Sequence, residues 1–208
     1  MKYEKYEMRD GNVISIPRPT NYKDCVLLLQ SDYYRVCGRK VGFLPLWWKS
    51  LSSRSLKVHF WFRMASYRGI FFPICAVIHR HNMRKFDILL STRAKVGWGF
   101  FTGQTTTMFI NPAAIIGNNV NFTQMLNIGK NNGNGAIIGD NVYIGPMVCL
   151  VEGVQIGSNS TVGAGSVIVK DIPAGSTAVG APAKAIGENK HPGFIRYPWP
   201  CEKCNNNK

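Results

Sequence analysis

From Ile110 onward a large apolar residue returns at every sixth position: Ile110, Ile116, Phe122 and Ile128, then, after a restart, Ile138, Ile144, Leu150, Ile156, Val162 and Ile168. The residue two before each is small or aliphatic, as at Ala114, Val142 and Ser166, and the residue after is often glycine, as at Gly117, Gly139 and Gly163. A period of six fits neither a helix nor a plain alternating strand, because the alternation resets at each sixth residue. Short strands joined by glycine-bearing corners satisfy it. Three hexads then close one triangular coil, and stacked coils bury the large residue, so that each repeat is stable only through its neighbours. The pattern predicts a parallel β-helix from about residue 96 to residue 187, and spacing alone leaves its hand open.

Two interruptions break the period. Between Ile128 and Ile138 the extra residues fall in GKNNGNG, Gly129 to Gly135, a composition that predicts an exposed loop projecting from the prism. Between Thr102 and Ile110 the irregular stretch is Gly103-Gln104-Thr105-Thr106-Thr107. Loops on a rigid scaffold are where binding and catalytic residues concentrate.

Upstream the hexad is absent. Residues 24–92 carry long apolar and basic segments that read as helices with apolar stripes, one of them kinked or ended by Pro73. Residues 1–23 read as a flexible extension and residues 188–208 as a loose tail rich in Pro, Asn and Lys. The formal charge of +14 is uneven: residues 1–95 hold 18 Lys and Arg against 6 Asp and Glu, residues 96–208 hold 7 against 5. Such a basic half attracts nucleic acid, anionic lipid or a phosphorylated small molecule, or is a solvated helical surface, and charge does not choose among them. No nucleic-acid-binding signature accompanies it, so no nucleic-acid partner is expected.

The N-terminus has no apolar stretch of the signal-peptide kind, which makes the cytoplasm the expected location. The longest apolar run, Gly69 to Ile78, is about half of what a bilayer span requires, so no integral membrane segment is expected. Six scattered cysteines read as free thiols. Cys201 and Cys204 form one CxxC without a second pair, a weak signal for zinc or redox chemistry, and no metal is expected.

With helices first and hexads second, the chain resembles the serine O-acetyltransferases of the hexapeptide-repeat acyltransferase superfamily. The likeness rests on Ser31-Asp32-Tyr33-Tyr34-Arg35, on Phe60-Trp61-Phe62-Arg63, on INPAAIIGNNVNFTQMLNIG from Ile110 to Gly129, and on the block from Ala136 to Gly187. It implies a mainly β fold, a left-handed parallel β-helix over 93–187 preceded by a small α-helical region. It also implies a homotrimer, with acetyl-CoA as co-substrate in the groove between neighbouring prisms. By the same resemblance the acetyl-CoA contacts fall on Gly145, on Ala164 and Gly165 of the Gly-Ala-Gly turn, and on Ala183 and Lys184 near the nucleotide. Each of these glycines and alanines is as readily a prism corner, and Lys184 a solvated lysine.

Acetyl transfer to a hydroxyl needs a general base and donors for the oxyanion. The resemblance implies a histidine base after Gly-x-Gly-x-x-x-Asp. Gly97, Gly99, Gly103 and Gln104 fall on that pattern, with Gln104 at the histidine and Gly103 at the aspartate. A second histidine of the family falls near Gly135. A glutamine amide donates and accepts hydrogen bonds but does not remove a proton. Of the four histidines, His59 reads as packed, His79 and His81 as an exposed helix-end pair, and His191 as part of the loose tail. Thr105, Thr106 and Thr107 read as strand residues, and Asp32 and Asp87 either contact an acceptor's amino group or lie on the surface. Three functions stay open: serine acetylation feeding cysteine synthesis, acetylation of a sugar in surface-polysaccharide assembly, and a catalytically degenerate trimeric homologue.

Overall fold

The computed structural model describes residues 1–200, so the Cys201 and Cys204 pair lies outside it. The chain opens on an antiparallel hairpin, β1 (Lys2–Glu7) and β2 (Val13–Arg18), turned at Asp10 and Gly11. Four helices follow: α1 (Tyr22–Cys37), α2 (Phe43–Ser52), α3 (Arg54–Met64) and α4 (Phe72–Lys85). The side chains of Asn21 and Ser53 accept backbone N–H groups at the starts of α1 and α3, and α1 stops at Gly38 with φ of 67°. Pro73 lies in the first turn of α4, where its missing N–H breaks no helix hydrogen bond; it starts this helix rather than kinking or ending one.

From Ile88 on, the chain coils into the expected parallel β-helix. The first face stacks Lys95–Val96, Ile115–Ile116, Ile137–Ile138 and Gln155–Ile156. The second stacks Phe101–Thr102, Asn121–Phe122, Tyr143–Ile144 and Thr161–Val162, ending in an antiparallel hairpin of Ser176–Gly180 and Ala183–Glu188. The third stacks Ile88–Leu90, Met108–Ile110, Asn127–Ile128, Cys149–Leu150 and Val167–Ile168. The sixth-position residues from Ile110 to Ile168 all point inward and are buried, so the period is the interior column of the prism. Val58 and Phe62 of α3 join the same core, which seats the helices on the first coil.

Both termini depart from expectation. Residues 1–23 are not a flexible extension: Met8, Ile14 and Ile16 pack over Ile115 and Ile137 of the first face, and Arg9 pairs with Asp171 at 2.6 Å. Alternating Ile14 and Ile16 supply an apolar side that the charged β1 conceals in the sequence. The tail is likewise fastened. Trp199 is buried and stacks 6.1 Å from Trp98, its backbone N–H donates to Asn119 Oδ1, and Asn121 Nδ2 donates to the Phe194 carbonyl. The corner row Asn119, Asn141 and Asn159, with φ of 55–60°, meets the tail at its two ends, where Asn119 accepts from Trp199 N–H and the Asn159 carbonyl accepts from Asn189 Nδ2.

Candidate functional site

The corner joining the second face to the third gathers most of the expected site residues. Its successive turns, residues 103–107, 123–126, 145–148 and 163–166, stack through Gly103 N–H to the Phe122 carbonyl, Gly145 N–H to Val162 and Gly163 N–H to Ala178. The left-handed position of the last three turns is held by Met125, Met147 and then Gly165, with φ of 61°, 60° and 69°. Both methionines are exposed, and in the fourth coil the side chain disappears altogether. A Cβ on Gly165 would meet nothing within 4 Å, so Ala164 and Gly165 leave the edge bare there.

Gly145 is different. A Cβ on it would lie 2.8 Å from the Ala164 nitrogen, so its glycine is required by the coil above and the residue is buried. At the end of the edge Gly180 N–H donates to Ser166 Oγ, Ala183 pairs with Gly180 and is buried, and Lys184 pairs with Val179 and is exposed. Gln104 is exposed at the opposite end, three coils from Ala164, or about 14 Å at the usual strand spacing.

At the same corner as Gln104 runs a buried polar chain. His59 Nε2 lies 2.8 Å from Thr102 Oγ1, which lies 3.0 Å from Thr105 Oγ1, while His59 Nδ1 lies 3.2 Å from Asp32 Oδ2. Asp32 also accepts two hydrogen bonds from the Arg63 guanidinium, each 2.8 Å, and one from Phe100 N–H. Burial alone raises the Asp32 carboxyl, but the Arg63 charge and the His59 and Arg63 hydrogen bonds outweigh it and hold the carboxyl below its ordinary value. Arg63 in turn donates to the Val96 and Gly97 carbonyls, so α1, α3 and the first coil meet in this network. A pocket of about 250 Å³ opens on it, lined by Tyr33, Ser55, His59, Phe101, Thr102 and Gly103. A larger cavity of about 660 Å³ lies at the same corner on the third face, between Thr107 and Met125 on one side and Arg80, Arg84 and Asp87 on the other.

Residues 135–170 match the family model of the bacterial transferase hexapeptide (six repeats). Serine acetyltransferase 3, mitochondrial, of Arabidopsis thaliana is 38% identical over 126 residues, which are 57% of this chain and 32% of that protein. Among solved structures, the serine acetyltransferase of Neisseria gonorrhoeae in complex with serine superposes with a TM-score of 0.66 at 22% identity, covering 79% of this chain and 70% of that one. The serine acetyltransferase of Brucella abortus in complex with coenzyme A gives 0.63 at 20% identity, covering 79% and 67%.

The chain is similar to the serine acetyltransferases over 57% of its length and carries bacterial transferase hexapeptide repeats over residues 135–170.

It spans about a third of the length of the three Arabidopsis thaliana serine acetyltransferases it matches, between 30% and 39% of each. Several residues fall elsewhere than the sequence places them. Asp32 is buried and saturated, so it is neither a surface aspartate nor free to meet an acceptor's amine. Thr105, Thr106 and Thr107 form the corner itself and are not strand residues. His79 is buried with Nε2 2.8 Å from the Leu90 carbonyl, and burial pushes its pKa down; only His81 of that pair is exposed. The loop after Ile128 is held by Glu152, which accepts from Asn131 and Gly133 N–H. The link from His59 to Thr102 escapes sequence reading. Its one trace is the four-residue spacing of His59 and Arg63, which sets both on the face of α3 that meets Asp32.

Proposed function

We propose that this chain transfers acetyl from acetyl-CoA to a hydroxyl group, with L-serine the acceptor, and that it does so as a homotrimer. The cavity beside the corner carries the reading: Arg80 and Arg84 offer guanidiniums to a carboxylate and Asp87 offers a carboxylate to an amine, the complementary set for an amino acid zwitterion. The exposed run of Met125, Met147, Ala164 and Gly165 suits the pantetheine arm of acetyl-CoA, and Lys184 suits the phosphates beyond it.

The base in this reading is His59. The acceptor oxygen attacks the thioester carbonyl; its proton passes through the Thr105 and Thr102 hydroxyls to His59 Nε2, while Asp32 holds the imidazole through Nδ1. The carbon–sulfur bond breaks, and the departing thiolate takes that proton back from the His59 imidazolium through the same two hydroxyls. Gln104, exposed at the same corner, orients the acceptor hydroxyl by its amide and removes no proton.

Thiol release from acetyl-CoA is to be followed with L-serine and with a panel of sugars, alongside direct acetyl-CoA binding. Turnover with serine and none with sugars is expected. Turnover confined to a sugar transfers the activity to another acceptor, and binding without turnover under any acceptor contradicts the transferase reading.

A further inference from the structure

The helical region carries a surface that acetyl transfer does not use. Between Asp32 and Asp87 lie 54 residues without one Asp or Glu and with eleven Lys and Arg. Arg35 and Arg63 are buried and engaged, but Arg39, Lys40, Lys49, Arg54 and Arg68 stand exposed. No carboxylate of the helices neutralises them.

Among these cations the helices turn apolar side chains outward. On α2 only Leu46 and Ser50 are buried, whereas Leu44, Trp47, Trp48 and Leu51, spaced i, i+3, i+4 and i+7, form an outward stripe; Leu44 is 72% exposed and Trp48 70%. A second apolar group, Ile70, Phe71, Ile74 and Val77, enters and begins α4, with Ile70 85% exposed. Both α2 and α4 pack on α3. Among the described residues no helix is long and apolar enough to cross a membrane, so these faces meet a surface rather than span one.

Three occupants compete for such a face. A second copy meeting it symmetrically would lay each patch against itself, bringing Lys49, Arg54 and Arg68 against like charge with no acid to answer them. A nucleic acid would satisfy the cations and leave the leucine and tryptophan stripe in water. An anionic bilayer satisfies both, since its headgroups take Lys and Arg while its interface takes Trp, Leu and Phe.

We propose that α2 and the start of α4 form an interfacial docking surface for membranes rich in anionic phospholipid. This inference is independent of the acetyl-transfer reading. Its test is co-sedimentation of the full chain with phosphatidylglycerol-containing vesicles and with pure phosphatidylcholine vesicles, in 0.1 M and 0.5 M salt. Two variants accompany it, Leu44→Ser/Trp48→Ser and Lys49→Glu/Arg54→Glu, each checked for an unchanged thermal transition. The chain is expected to partition to the anionic vesicles only, less at high salt, with partitioning reduced at least tenfold in each variant; each cation at an anionic surface accounts for about fivefold. A blue shift of tryptophan emission on adding the anionic vesicles, absent in the first variant, is expected as well. No partitioning at low salt overturns the proposal. So does partitioning that the first variant leaves intact, which would be charge attraction alone, or a larger solution mass without lipid that the first variant abolishes, which would be self-association.

Discussion

The first coil and the fourth present the same corner of the prism to solvent and are built in opposite ways. At the fourth coil the corner is Gly163, Ala164 and Gly165, backbone laid bare, with only the Ser166 hydroxyl, which donates to the Gly163 carbonyl, and the prism's own apolar column behind it. At the first coil the corner is Gly103 to Thr107, and behind it stand Thr102, His59, Asp32 and Arg63, a polar chain brought in by α1 and α3. In the proposed function the bare end admits the long arm of acetyl-CoA and the polar end handles the proton. Repetition alone makes the first kind of end; the second required a separate helical layer. The helical layer and the solenoid also bury carboxylates differently. Asp32 faces a cation and is held low, whereas Asp140, in the corner between the first and second faces, meets only the Asn118 side chain and backbone N–H, and burial pushes it up to about 6.

The comparison breaks most visibly at Asp32. Asp32→Asn leaves the buried Arg63 guanidinium without its counter-charge, and a loss of about 3–5 kcal/mol is expected in urea denaturation. A solenoid that owed nothing to the helices would lose far less. Because the folded Asp32 carboxyl lies below its unfolded value, its contribution is present above the ordinary carboxylate range and fades as pH falls through it.

Asp140 gives the opposite sign. Its folded carboxyl keeps a proton that the unfolded chain has already released, so stability falls as pH rises from about 4 to about 6 and stays lower above that. Asp140→Asn is expected to remove that loss, making the variant up to about 3 kcal/mol more stable than the parent at pH 7 and nearly equal to it at pH 4. Denaturation curves at the two pH values check it.

At the bare corner the effects fall on binding instead. Ala164→Trp covers the edge with an exposed side chain, and calorimetric titration should show acetyl-CoA affinity reduced about thirtyfold with the melting temperature unchanged, a change of roughly 2 kcal/mol. Lys184→Ala removes one exposed cation and should cost about threefold, the size of a solvent-screened ionic contact. A larger loss at Lys184 than at Ala164 would reverse the picture of a backbone-lined groove.

The solenoid was legible because its physics is local and repeated: the residues from Ile110 to Ile168 each announce their inward position by spacing alone. Ala164 and Gly165 were legible as prism corners for the same reason, since they sit in register within the repeat. The hairpin of β1 and β2 was missed because Ile14 and Ile16 gain their meaning only from Ile115 and Ile137, about a hundred residues away. His59 was read as a packed histidine, and it is packed. Its partners Asp32 and Thr102 are 27 and 43 residues distant, and no period or motif ties those positions together. Long-range polar contacts of this kind carry no signal in a single sequence.

The most direct test of the division between a binding end and a proton-handling end is His59→Gln, with acetyl-CoA affinity and serine-dependent thiol release measured on the same preparation. Affinity within about twofold of the parent, together with turnover lowered about a hundredfold, is the predicted outcome. Undiminished turnover would contradict it.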